Sequence, residues 1–186
     1  MGRIKTSLEL AMERMEDIQV DENKIRQDNL RQDARSIAGK YLEDDTMQDD
    51  ELEARLSKYE GSDLTFVTKT INETILQNLS MPSAIEYKMR NKRIASLFPI
   101  VNDGNSAAIK VITQILSLED QYWDTMSGLL DKMKEQYKDA LSQSDAPAEQ
   151  NKDFLNMYQA NVKQINQQYG SVLTRGKTQL SAMLGL

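Results

Sequence analysis

The sequence predicts an all-α protein, an elongated antiparallel helical bundle that ends in a long C-terminal helical hairpin. Glycine and proline are scarce in the 186 residues, at 8 and 3 respectively, and straight-chain residues that favour helices are abundant. Apolar residues recur every three, four or seven positions along most of the chain, as they do in amphipathic helices. We expect a single domain over residues 1–186, with a subdivision into residues 1–104 and 105–186 as the alternative.

The first periodic segment predicts a long amphipathic helix that runs from Thr6 to Tyr41. Thr6 and Glu9 have the spacing of a capping box. The rest of the circumference is strongly polar, and such a helix gains little stability by itself. We therefore expect its apolar stripe to pack against a partner helix, in the same chain or in a second copy. The interaction residues predicted on this stripe are Leu8, Met15, Ile18 and Ile25.

Turn-forming residues predict where the next helices begin and end. The acidic stretch EDDTMQDDE, residues 43–51, connects the first helix to a short second one. Thr46 or Asp49 is expected to cap this second helix, and Gly61 is expected to end it.

A third and a fourth helix follow. Ser62 or Asp63 is the expected cap of the third helix, although its many β-branched residues leave a strand as the alternative. Pro82 suits the first turn of the fourth helix, which Pro99 is expected to end. The stretch 102–105, Asn-Asp-Gly-Asn, then predicts a turn with Asn105 or the next residue as a helix cap.

Two long helices of similar length are predicted at the C-terminal end of the chain. One extends from Ser106 to Leu141 and the other over residues 150–184, with SQSDAPAEQ between them. At a rise of 1.5 Å per residue each would reach roughly 50 Å, and the short linker makes them antiparallel neighbours. Gly170 and Gly176 in the second helix indicate a close helix approach or a frayed end.

The composition excludes most catalytic and metal-binding designs. Histidine and cysteine are both absent, so disulfides, thiolate metal sites, histidine-dependent triads and HExxH zinc sites are excluded. Carboxylates remain, but Glu119, Asp120 and Asp124 are expected on solvated faces. We therefore expect that the protein is not an enzyme and that it holds no metal and no cofactor.

One basic cluster stands out in a chain of net charge −6. The overall charge disfavours nucleic acid as a partner. The stretch YKMRNKR is typical of an ordinary solvated face, which is the favoured interpretation. The alternative is an anion-binding surface for RNA, an anionic lipid or an acidic partner such as the stretch 43–51 of another copy. The basic residues of this cluster are Lys88, Arg90, Lys92 and Arg93.

The sequence also predicts a cytoplasmic location without membrane attachment. No run of about 18 apolar residues is present, and charges occupy the positions where a secretory signal would be apolar. The start MGRIKTSLELAMER resembles that of short, all-helical bacterial proteins of unknown function. The resemblance covers residues 1–14 and implies no activity. It does imply a bacterial cytoplasm, where the myristoylation pattern at Gly2 has no meaning.

Two classes of function remain open. The first is a noncatalytic helical interaction or assembly protein, which binds itself, as a homodimer, or another protein through apolar helix seams. The second is a bundle that binds a small molecule or nucleic acid, through the cluster at residues 88–93 or through a cavity lined by Met and Tyr. The aromatic and Met side chains at this spacing favour helix packing, with the cavity as the alternative, and they are Tyr122, Trp123, Met126, Met133, Tyr137, Tyr158 and Tyr169. The first class accounts better for the polar N-terminal helix.

Overall fold

The computed structural model describes residues 6–7, 22–44, 46–138 and 147–186. Seven α-helices and no strand occur in these ranges, which confirms the all-α prediction. The β-branched third segment is therefore a helix. The helices are α1 (Glu22–Glu43), α2 (Asp49–Leu56), α3 (Gly61–Asn78), α4 (Tyr87–Val101), α5 (Ser106–Ser127), α6 (Leu129–Gln136) and α7 (Lys152–Leu184).

Helices α1 and α3 lie side by side and run in the same direction. Near their N-terminal ends, Arg26 Nη2 donates to Asp63 Oδ2 at 2.6 Å. Further along both helices, the Arg31 guanidinium lies over the Phe66 ring, 5.5 Å from its centroid. The short α2 connects them, so that α1 and α3 form one layer of the body.

Helix α4 packs against this layer in the opposite direction. Two amides join its C-terminal end to α3, because Asn72 and Asn102 each donate to the other at 2.9 and 2.8 Å. Near its N-terminal end, Arg90 Nη1 donates to Ser80 Oγ, just beyond the end of α3, at 3.2 Å. The end of α4 thus contacts the middle of α3, whereas the start of α4 contacts a residue just beyond the end of α3. The two helices are therefore antiparallel.

Helices α5 and α7 form the predicted antiparallel hairpin. Tyr122 Oη donates to Asn166 Oδ1 at 2.8 Å, and Ile115 lies against Gly176. The 33 residues of α7 correspond to a length of about 50 Å. Its C-terminal half packs on the body, while its N-terminal half, with α6, forms a separate small cluster around Met133 and Phe154.

The main core combines residues from α1 to α5 with the C-terminal half of α7. Helices from both sides of residue 105 therefore contribute to one buried cluster. Among the helices that the structure describes, none is long and apolar enough to cross a membrane. Fully buried side chains that represent the contributing helices are Tyr41, Leu52, Ile71, Ile75, Ile94, Phe98, Ile112 and Leu180.

The structure corrects the boundaries of α2 and α3. Gly61, with φ of 53°, begins α3 and does not end α2. Neither helix has a side-chain cap: the flanking residues are Gln48 for α2 and Glu60 for α3. The predicted caps at these two helices are therefore wrong. Asp49 is the first residue inside α2, and α3 begins at Gly61, one residue before the expected Ser62.

The prolines around α4 also differ from expectation. Pro82 lies in the connection before α4, which begins only at Tyr87. Pro99 lies inside the last turn, so it deprives one carbonyl of its helical donor without displacing any later turn. The turn at residues 102–105 is confirmed, since Asn105 Oδ1 accepts from the Ala108 amide at 3.1 Å.

The long helix predicted from residue 106 to 141 is divided. Gly128 ends α5 and precedes α6, whose described part ends at Gln136. In α7, the predicted close helix approach is confirmed at Gly176, where an added Cβ would lie 3.0 Å from Ile115 Cγ1. An added Cβ at Gly170 would meet nothing within 4 Å.

These two glycines form a matched pair for a stability test. Gly170→Ala is expected to raise the free energy of unfolding by up to about 1 kcal/mol, because alanine favours the helix and has room. Gly176→Leu is expected to lower it by about 1–3 kcal/mol through overpacking against Ile115. Urea unfolding followed by circular dichroism measures both. Equal effects of the two substitutions would contradict the close approach of α5 and α7.

Candidate functional site

A groove of about 650 Å³ lies between α4 and α5. We call it the α4–α5 groove. Lys88 and Lys92 line it from α4, and Leu116, Asp120 and Asp124 line it from α5. The groove thus contains two of the four basic residues that the sequence grouped into one anion-binding surface. The other two, both arginines, face elsewhere.

Arg93 holds the acidic connection between α1 and α2 against α4. Its guanidinium donates to the backbone carbonyls of Tyr41, Asp44 and Met47 at 2.7, 2.9 and 2.7 Å. It also lies 3.7 Å from the centroid of the Tyr41 ring, within cation–π range. The Tyr41 hydroxyl donates to Asp49, and burial followed by this hydrogen bond raises the pKa of Tyr41 to about 12. Arg93 is therefore committed to contacts inside its own chain.

Arg90 forms an ion pair with a carboxylate on α5. Arg90 Nη2 donates to Glu119 Oε2 at 2.6 Å, and the Glu119 side chain is 0% exposed. Burial raises the pKa of Glu119, and the positive charge of Arg90 opposes that rise. The prediction that Glu119 lies on a solvated face is wrong, because its face of α5 packs against α4, which supplies the charge that a buried carboxylate requires.

The position of Glu119 was readable from the sequence. Ile112, Ile115 and Tyr122 follow the apolar spacing of α5, and Glu119 lies four residues after Ile115 and three before Tyr122. That spacing places the carboxylate on the buried stripe of the helix. A carboxylate at such a position requires a cation from another helix, which a pattern within one helix does not identify.

Tyr87 fixes the start of α4 against α5. Its hydroxyl donates to Asp120 Oδ1 at 2.8 Å, and its ring centroid lies 5.5 Å from that of Trp123. Burial and then the Asp120 hydrogen bond raise the pKa of Tyr87 to about 12. With the Arg90–Glu119 pair, this contact holds both walls of the α4–α5 groove in place.

An exposed stripe of two apolar and two basic residues lies beside the groove, and we call it the α4 stripe. It consists of Ile85, Lys88, Met89 and Lys92, spaced so that they share one helical face. Ile85 precedes α4 but belongs to the same spiral, since its carbonyl accepts from the Lys88 amide at 3.2 Å. Ile85 and Met89 are 52% and 51% exposed. Within the part of the chain that is described, neither lysine forms an ion pair.

Of the four interaction residues predicted on the N-terminal helix, the structure describes one. Leu8, Met15 and Ile18 lie outside the described residues, whereas Ile25 lies on α1 and is 49% exposed. In the described ranges, no three carboxylates come together as they would around a metal ion.

Three of the tyrosines assigned to the proposed cavity are in ring contacts between helices. The rings of Tyr122 and Tyr169 meet edge to face at 5.5 Å, and those of Tyr137 and Phe154 at 6.4 Å. Such contacts are typical of packing between two helices.

Because Arg90 and Glu119 form a buried ion pair, we expect the loss in free energy of unfolding caused by substitution of Arg90 to depend on pH. A raised pKa means that the folded state binds the Glu119 proton more tightly than the unfolded chain does. The resulting stability is present below the unfolded pKa and is lost as pH rises through the folded pKa. Arg90→Met removes the charge that opposes this rise, so the loss in free energy of unfolding is expected to be about 3 kcal/mol near pH 8.

Near pH 5 the loss should be clearly smaller, because Glu119 can then take up a proton. Urea unfolding of the wild type and the variant at both pH values measures the difference. Arg175→Met, at an exposed position of α7, is the matched control and is expected to change little. A loss that does not vary with pH would contradict the role assigned to Glu119.

Comparison with known proteins identifies a family but no activity. Residues 53–182 match the family described as Family of unknown function (DUF6657). This range includes α3 to α6, most of α7 and every residue of the α4–α5 groove and the α4 stripe. Searches of curated proteins and of solved structures found no match. Because the matched range covers more than half of the chain, the protein belongs to this family of unknown function.

Proposed function

We propose that the protein is a noncatalytic helical assembly protein of the cytoplasm, which forms a homodimer by docking a helix on the α4 stripe. The observation that carries this proposal is the exposure of Ile85 and Met89 on one face, each more than half exposed. Apolar side chains grouped at helical spacing are typical of a surface that receives an amphipathic helix.

The contacts that hold α4 against α5 favour tight docking on the α4 stripe. Arg90 is bonded to Glu119, and Tyr87 is bonded to Asp120, so α4 is anchored to α5 at two points. A surface that is already ordered loses little conformational entropy when a partner binds. Docking on the α4 stripe therefore requires ordering of the partner helix more than of α4.

The charges of the stripe favour an acidic partner. Lys88 and Lys92 flank the two apolar residues, and neither forms an ion pair with a described residue, although Asp120 and Asp124 line the same groove. Opposite charges on a docking helix would accelerate association and would make it sensitive to salt. Nucleic acid is the weaker candidate, because a phosphate backbone usually requires more cations than two lysines provide.

A noncatalytic role agrees with the chemistry of the groove. Tyr87, which lines the groove, and Glu119, which is buried on α5, both have raised pKa values, and both are bonded to partners within the chain. Such groups orient helices and are not directed at a substrate. A perturbed pKa of this kind is typical of a structural network as well as of an active site.

The double variant Ile85→Glu and Met89→Glu tests this proposal. It replaces the apolar surface by carboxylates, so the dissociation constant of the dimer is expected to rise at least about tenfold, which corresponds to about 1.4 kcal/mol. Sedimentation velocity at tens of micromolar protein measures the mass, and far-UV circular dichroism verifies that the helices are retained.

Val172→Glu is the matched control, because Val172 is an equally exposed apolar residue on α7. This variant is expected to dimerise as the wild type does. A wild-type protein that sediments as a monomer at these concentrations would refute the assembly role. A double variant that dimerises normally would exclude the α4 stripe as the interface.

A further inference from the structure

We infer that the helix received by the α4 stripe is the N-terminal segment, residues 8–21, of a second copy of the chain. The dimer would then be built by two reciprocal contacts, each copy lending its segment to the other. This inference rests on the proposed assembly role and names the occupant of the surface. The segment itself lies outside the described residues, so the argument uses its sequence and the surface that would receive it.

The sequence of this segment is that of an acidic amphipathic helix. Its 14 residues contain five carboxylates and one arginine. The apolar residues Leu8, Met15 and Ile18 are spaced for one helical face. Glu9 and Glu16 lie roughly 100° and 80° round the helix from Leu8 and border this face on one side, whereas Glu13 lies roughly 140° from Leu8, towards the opposite side. The spacing thus predicts a row of apolar side chains beside a row of carboxylates.

The α4 stripe is complementary to this pattern. Met89 follows Ile85 by four residues, and Lys92 follows Lys88 by four. An apolar row and a cationic row therefore lie side by side on α4. Docking would bury apolar surface and place carboxylates opposite the two lysines, neither of which forms an ion pair with a described residue.

The other acidic segment of the chain does not fit this surface. Residues 43–51 lie in contact with a different side of α4, where Arg93 binds the carbonyls of Asp44 and Met47. Met47, the apolar residue of this stretch, is buried in the core of its own chain. The stretch therefore offers carboxylates without an apolar row, and its backbone is already bound.

The path of the chain indicates a second copy as the source of the segment. Helix α1 begins at Glu22, and Arg26 places this end beside Asp63, at the start of α3. The α4 stripe lies at the other end of α3, where Arg90 bonds to Ser80. The 18 residues of α3 span about 27 Å.

A helix of 14 residues is only about 21 Å long. It is therefore too short to return from the start of α1, pass the whole of α3 and then lie along its own α4 stripe. A second copy has no such restriction, and a twofold axis makes both contacts equivalent.

Charge reversal across the interface tests the pairing. Lys88→Glu with Lys92→Glu is expected to weaken the dimer about tenfold at low salt, because it opposes like charges. Glu9→Lys with Glu16→Lys, the two carboxylates that border the apolar face, is expected to weaken it to a similar extent. A chain that carries all four substitutions should return to within about threefold of the wild-type dissociation constant, measured by sedimentation equilibrium.

The control for these variants is Lys152→Glu with Lys163→Glu, at exposed positions of α7, which is expected to leave the dimer unchanged. Recovery of the dimer in the chain with all four substitutions would also show that the two double variants were folded. If the four substitutions weaken the dimer additively, without recovery, the segment and the α4 stripe do not pair and the inference is wrong.

Energy transfer identifies the copy that supplies the segment. Because the chain contains no cysteine, Val20→Cys and Gln114→Cys can each be labelled at a single site. Copies with a donor at position 20 are mixed with copies that carry an acceptor at position 114, on α5. Transfer is expected upon mixing and should fall when Lys88→Glu and Lys92→Glu are present in the acceptor copy.

The remaining outcomes contradict the inference in distinguishable ways. Transfer that occurs only when both labels are in one chain, at any dilution, would mean that the segment docks within its own chain. A dimer that depends on Ile85 and Met89 but shows no transfer would refute the segment as occupant while the proposed function stands. A monomer at all concentrations would refute both.

Discussion

The burial of one carboxylate determines the arrangement of α4 and α5. Glu119 lies on the apolar stripe of α5 and is fully buried. A buried charge is tolerated only with a partner at close range, which Arg90 provides at 2.6 Å. Because Arg90 is fixed in this contact, helical geometry directs Lys88 and Lys92 to the other side of α4 from Arg90, where they line the α4–α5 groove. Residues two positions apart point to nearly opposite sides of a helix. The exposed α4 stripe is thus a consequence of the buried ion pair.

Helix α4 contacts both α5 and the segment between α1 and α2, because its two arginines point in different directions. Arg90 binds α5, and Arg93 binds the segment between α1 and α2. Arg93 donates to three carbonyls at the end of α1 and in the connection that follows it, two of them in partly buried surroundings where an unpaired carbonyl is costly. The planar guanidinium suits this role, since it offers several donors in fixed directions. A basic cluster that reads as one surface in the sequence is therefore divided between two internal contacts and one exposed pair.

The sequence predicted the features that depend on periodicity within a segment and missed those that depend on another segment. The spacing along α5 and α7 predicts the hairpin, and the turn residues predict a cap at Asn105 or Ser106, of which the structure has Asn105. The predictions that Gly61 ends α2 and that Pro99 ends α4 are wrong. A glycine can begin a helix as well as end one, and a proline in the last turn of a helix displaces no later turn. The partners of Arg90 and Arg93 are distant in the chain, at Glu119 and at the end of α1, and no local pattern identifies them.

An ion pair in this position contributes orientation more than stability. Apolar residues of similar volume often stabilise a core as well as a buried ion pair does, or better. Apolar contacts are non-directional, however, and allow small rotations of one helix on another, whereas the hydrogen bond between Arg90 Nη2 and Glu119 Oε2 permits few. The α4 stripe has only two apolar and two charged residues, and they are exposed together on one face only at one rotation of α4. The buried pair maintains that rotation, and the Tyr87 bond to Asp120 restricts it from the neighbouring turn.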